Sequence, residues 1–187
     1  TYTLFYSNDN GQSWEPLESA LTTPLINLPI SRLRGGDQAL LRILATDGVN
    51  TSQDDQDAPM TIAQKPPEVR ILTPEDGAQI ARGQALLLRG QATDLEDGAL
   101  DGNALEWTSD RQGILGRGRL LSASGLSRGL HRVTLRARDS AGASTTTAVE
   151  VEVLATPLVV QAAVDPVVLI GGTLALDGTA STGEGLL

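Results

Sequence analysis

The sequence predicts an all-β chain of tandem antiparallel β-sandwiches, one complete and two truncated. Three observations lead there. Short runs alternate apolar and polar side chains with a period of two, no stretch of a dozen residues carries a 3.6-residue apolar stripe, and segments recur at a spacing of about ninety residues.

Taken in order, the first element is an aromatic strand around Tyr6 that runs into Ser7-Asn8-Asp9-Asn10-Gly11-Gln12-Ser13-Trp14. That segment fits the Asp-box pattern of serine, any, aspartate, any, glycine, any, serine or threonine, tryptophan, which recurs once per blade in sialidase propellers. Here it occurs once, so it reads as a hairpin: Asn10-Gly11 tolerates positive φ, Asp9 bonds turn amides and Trp14 covers the turn. Leu41 to Gly48 reads as a later strand passing into a small-residue turn. Ala63-Gln64-Lys65-Pro66-Pro67 is a linker, because two successive prolines donate nothing to a central ladder. Val69 and Ile71, Leu86 and Leu88, and Leu105 and Trp107 mark further strands. Val133, Leu135 and Ala137 alternate with arginine and threonine, and Val149, Val151 and Val153 alternate with Glu150 and Glu152, so one face of each strand is buried and the other wet.

The repeat sets the boundaries. Leu41 to Gly48 matches Val133 to Ser140, placing Asp47 and Asp139 92 residues apart, and Gly83 to Thr93 matches Gly171 to Ser181 at an offset of 88. Tyr6-Ser7-Asn8-Asp9 pairs more weakly with Trp107-Thr108-Ser109-Asp110. The expected organisation is the later strands of one module over 1–64, a complete module over 65–156, and the first strands of another over 157–187. On this reading the chain is cut within a domain at both ends.

Gly90-Gln91-Ala92-Thr93-Asp94-Leu95-Glu96-Asp97-Gly98, Leu105-Glu106-Trp107-Thr108-Ser109-Asp110 and Gly129 to Leu135 followed by Ala137-Arg138-Asp139-Ser140-Ala141-Gly142 carry a resemblance. In them the middle module resembles the PKD and related immunoglobulin-like repeats of bacterial surface proteins. Leu176 to Ser181 resembles the start of another such repeat, and residues 1–64 resemble the back half of a fibronectin type III-like module. The resemblance implies immunoglobulin-like sandwiches in a secreted or cell-surface protein, with a spacer, adhesive or accessory role beside other domains. Trp107 then occupies the core position of a strand-C tryptophan.

Composition narrows the chemistry. Fourteen basic against 23 acidic residues give a net charge of -9, the wrong sign for a phosphate-binding surface, so no nucleic-acid partner is expected. With no cysteine there are no disulfides, thiolate metal sites or thiol nucleophiles. No apolar run approaches the ~20 residues of a membrane-spanning helix. His131 is the only histidine and shares parity with Val133 and Leu135, which points it at the core. No G-x-S-x-G elbow, Walker A loop or Rossmann fingerprint is present, so no catalytic residue is assigned. A glycosidase pair of carboxylates would need a cleft lined to bind a sugar ring, and aromatics make up only 3% of the chain.

The acidic cluster Asp94, Glu96, Asp97 and Asp101 is the candidate metal site, for calcium, which takes six to eight oxygen ligands. Its competing reading is a set of Asx turns. Asp54, Asp55 and Asp57 read as a solvated loop. The expected function is a non-catalytic spacer or adhesion repeat region. The alternative is a carbohydrate- or calcium-binding accessory module of an extracellular hydrolase. Partners are the neighbouring immunoglobulin-like modules, with an extracellular protein or glycan as a further candidate, and no cofactor other than calcium.

Overall fold

The computed structural model of the chain describes residues 1–23 and 25–156. The module expected over 157–187, with its Leu176 to Ser181 segment, lies outside the described residues. The described chain is all-β: fourteen strands, two short 3-10 turns and no α-helix, and therefore no helix long and apolar enough to cross a membrane.

The first five strands are β1 (Tyr2–Ser7), β2 (Glu15–Leu21), β3 (Gly36–Thr46), β4 (Thr51–Asp55) and β5 (Met60–Ile62). They form one sheet in the order β2-β1-β3-β4, with β5 also pairing β3. Tyr2, Leu4 and Tyr6 oppose Ala45, Ile43 and Leu41, so apolar residues of matching parity share a face. Tyr6, Leu33, Ala39 and Ile62 form the buried centre, with Leu17, Leu41 and Met60 packed against it.

Nine strands follow: β6 (Glu68–Thr73), β7 (Ala78–Ala81), β8 (Leu86–Asp94), β9 (Gly98–Leu100), β10 (Leu105–Ser109), β11 (Gly113–Arg117), β12 (Leu120–Ala123), β13 (Gly129–Arg138) and β14 (Ser144–Leu154). They build two sheets, β12-β8-β6 with β9 on β8, and β11-β10-β13-β14-β7. Strict alternation along β8 and most of β13 turns Leu86, Leu88, Ala92, Val133, Leu135 and Ala137 inward. The two inner faces meet where Gly90 of β8 lies against Trp107 of β10 and Leu135 of β13. Two sheets packed face to face around alternating residues, with a fully buried tryptophan on β10, form an immunoglobulin-like antiparallel sandwich.

Strand order β2-β1-β3-β4 in the first sheet repeats β11-β10-β13-β14 in the later one. The 92-residue offset between Asp47 and Asp139 thus connects the strand ends of β3 and β13. By contact density the chain divides into two compact units. One is Thr1–Val69 with Ala92–Ala104 and Arg136–Thr145; the other is Arg70–Gln91 with Leu105–Leu135 and the described residues that follow Thr145.

Candidate functional site

The Asp-box segment is folded around Asp9. Asn10 and Gly11 both take positive φ, 59° and 82°, the conformation that reverses the chain between β1 and β2. Ser7, almost fully buried, donates its hydroxyl to Asp9 Oδ1 at 2.7 Å and accepts the Gly11 amide at 2.8 Å. Asp9 Oδ1 also takes the Ser13 amide at 2.9 Å, and Asp9 Oδ2 takes the Ser13 hydroxyl at 2.5 Å. Trp14 closes the turn by donating Nε1–H to the Gly11 carbonyl at 3.1 Å. Arg42 lies 4.0 Å over the Trp14 ring and forks onto Asp55 through bonds of 2.6 and 2.7 Å. Ser7, Asp9, Ser13 and Trp14 all spend their polar groups on holding the hairpin, which is the reading the single occurrence favours.

This network lowers the Asp9 pKa to about 2 from an ordinary 3.8. The Ser13 hydroxyl is the largest cause, followed by the Ser13 amide and the Ser7 hydroxyl. The sign follows from the depressed value: Asp9 stabilises the hairpin above its unfolded pKa, and that contribution is lost as pH falls through about 2. Acid titration between pH ~4 and ~2 should therefore release the Trp14 environment in the native chain. Asp9→Asn, which cannot accept the Ser13 hydroxyl in the same way, should remove this step and speed amide exchange at Gly11 and Ser13. Hydrogen exchange read by NMR checks both.

The four acids of the candidate calcium site have separate tasks. Asp94 ends β8 on the inward parity that follows Ala92 and is 7% exposed. Its Oδ1 accepts the amides of Glu96 and Asp97, each at 2.8 Å, an Asx turn. Asp97 accepts the Ser140 amide at 2.7 Å and the Ser140 hydroxyl at 2.8 Å, bonds that hold its pKa below the ordinary value. Glu96 Oε1 accepts the Gly35 amide at 2.5 Å, and Asp101 Oδ1 accepts the Gly102 amide at 2.7 Å ahead of a 3-10 turn. Among the described residues no three His, Cys, Asp or Glu side chains are grouped to hold a metal ion.

Asp139 joins this region, and the sequence reading did not assign it to the site. It follows β13 on the same inward parity as Ala137, is 9% exposed, and accepts the Ala143 amide at 2.8 Å. Its repeat counterpart Asp47 does the same for Val49 and Asn50, at 2.9 and 2.7 Å. The shared parity and the 92-residue offset were the available signals. Asp94 Oδ2, Glu96 Oε2 and Asp139 Oδ2 are buried and have no hydrogen-bond partner among the described residues. Asp54 and Asp55 lie at the end of β4, with Asp57 exposed ahead of β5.

His131 is fully buried, as its parity predicts. Nε2 contacts the Ser127 carbonyl at 2.7 Å, and since a carbonyl only accepts, Nε2 carries the proton. Nδ1 then accepts the Ser109 hydroxyl at 2.9 Å. Both ring nitrogens are thereby committed to structural bonds.

No protein-family description matches the chain, and no curated protein matches it. Among solved structures, the chain is similar to an engineered protein at 21% identity and a TM-score of 0.35; the match covers 52% of this chain and 22% of that one. It is also similar to the fibronectin(III)-like modules of CbhA from Clostridium thermocellum, at 14% identity and a TM-score of 0.40, over 81% of this chain and 77% of that one.

Proposed function

We propose that the chain is a non-catalytic spacer or adhesion repeat region of a secreted or cell-surface bacterial protein, built to keep its shape under tension. The observation that carries this reading is the parallel pairing of β7 with β14, from Val151 opposite Ala78 to Leu154 opposite Ala81. β7 lies near the start of the β6–β14 sandwich and β14 ends it. Force entering before β7 and leaving after β14 pulls two parallel strands in opposite directions, so their hydrogen bonds are loaded together in shear. An antiparallel hairpin pulled from its open end unzips one bond at a time. The Gly77 amide to the Glu150 carbonyl at 2.9 Å, the Glu150 amide to Asp76 Oδ1 at 2.8 Å and Gln79 Nε2 to Glu152 Oε2 at 2.8 Å extend the clamp. The engagement of Asp9, Asp97 and His131 in structural bonds further supports a role without bond-making chemistry. Stretching single molecules tests the reading. Gln79→Pro removes an amide of the same parity as Gly77 and should lower the rupture force.

A second reading, a calcium-binding accessory module, draws on the buried and unpartnered oxygens of Asp94, Glu96 and Asp139. On this reading calcium draws together Asp94, Glu96 and Asp139, with Asp97 and Asp101 at the margin, although no three of these side chains are grouped for a metal ion in the described arrangement. Calorimetry should then show calcium-dependent heat and a raised melting temperature that Asp94→Asn abolishes. The absence of both at millimolar calcium removes the reading.

A further inference from the structure

We infer that the outer face of the β12-β8-β6 sheet docks onto the acidic β4 edge of a second copy of this chain, an association that goes beyond the spacer role. The outward parity of these strands should carry polar residues, as it does on most of β13. Instead Leu72 of β6, Leu87 of β8 and Leu120 of β12 are 45%, 51% and 65% exposed. Together with Arg89, Gln91 and Arg119 they line a depression of about 500 Å³. Leu120 stands opposite Arg89 and Ser122 opposite Leu87, so the leucines and the arginine share one continuous surface. Arg70 lies on the exposed parity of β6, and the acid of that parity is Glu68. Several exposed leucines rimmed by guanidinium groups mark a protein-contact surface more than a solvated sheet.

Charge complementarity selects the occupant. Residues 65–154 balance eleven basic against twelve acidic residues, whereas residues 1–64 carry eight acidic against three basic. The acidic excess includes β4, the last strand in the order β2-β1-β3-β4, and the segments around it. Asp47, Asp54 and Asp57 are exposed there, with Val49 and Ala58 exposed beside them. An edge strand offers unpaired backbone groups as well as these side chains. The two surfaces differ and lie on different parts of the chain, so the contact is heterologous and can continue from copy to copy.

Sedimentation velocity on the 187-residue chain tests the inference. At low salt the sedimentation coefficient should rise with concentration, and added salt should suppress the rise. Arg89→Glu and Asp54→Arg should each weaken self-association by about tenfold or more, since each places like charges across the contact. Thermal melts of the variants establish that these exposed substitutions leave the fold intact. Mixing the two variants restores association, because the altered face of one meets the altered edge of the other. A single monomeric species at every concentration overturns the inference, as does association that Arg89→Glu leaves unchanged. A chain that stays monomeric yet binds poly-glutamate through Arg89 assigns the face to a foreign acidic protein and also overturns it.

Discussion

Trp107→Ala should lower the unfolding free energy of the β6–β14 sandwich by about 3 to 5 kcal/mol, the range for removing a large ring from a core that closes only partly. Trp107 is fully buried, and its ring carbons lie against Gly90 in the facing sheet. Its Nε1–H reaches the Gly118 carbonyl at 3.0 Å, so truncation also deprives that carbonyl of its donor. A loss of this size is a large part of the total stability of an ordinary domain. Denaturant melts should show a much lower midpoint, whereas alanine at exposed Arg136 should change stability by less than ~0.5 kcal/mol.

Gly90→Val attacks the same contact from the other side, and should cost about 3 kcal/mol by overpacking. A Cβ on Gly90 would stand 2.3 Å from Leu135 Cδ2 and 2.9 Å from Trp107 Cζ2. The leucine end can turn aside, but the ring is enclosed and hydrogen-bonded. The two substitutions therefore couple: in the Trp107→Ala background the valine enters space the ring has left. The double variant should be more stable than the sum of the single losses implies, and a double-mutant cycle by thermal melting measures the difference. Simple additivity would mean that the two sheets do not meet at Gly90.

Much of this core is legible in the sequence because burial on one face forces a two-residue period. Val133, Leu135 and Ala137, and Val151 and Val153, are inward where alternation puts them, and His131 follows the same parity. The Asp9 network is nearly as local, since its side-chain bonds run between Ser7 and Trp14 and only the Asn10 amide reaches out of the motif, to the Gln38 carbonyl at 3.0 Å. What the sequence hides are relations between distant strands. β7 is only four residues long, and its parallel register with β14 has no local signature. Asp94, Glu96, Asp97 and Asp101 are neighbours in the chain, yet the Asx turn, β9 and the 3-10 turn direct them to different partners. Asp139 enters their region because Ser140 bonds Asp97 across 43 residues. Periodicity also fails for the outer leucines of β6, β8 and β12, where an apolar residue takes a wet position.

Single-molecule extension tests the mechanical account most directly. If β7 and β14 form a shear clamp, residues 68–154 unfold in one cooperative step that lengthens the chain by their extended length, roughly 30 nm at ~3.3 to 3.6 Å per residue, less the span of the folded sandwich. Gln79→Pro should keep the step length and lower the rupture force. A sandwich that yields gradually, or a rupture force that Gln79→Pro leaves unchanged, would contradict the account.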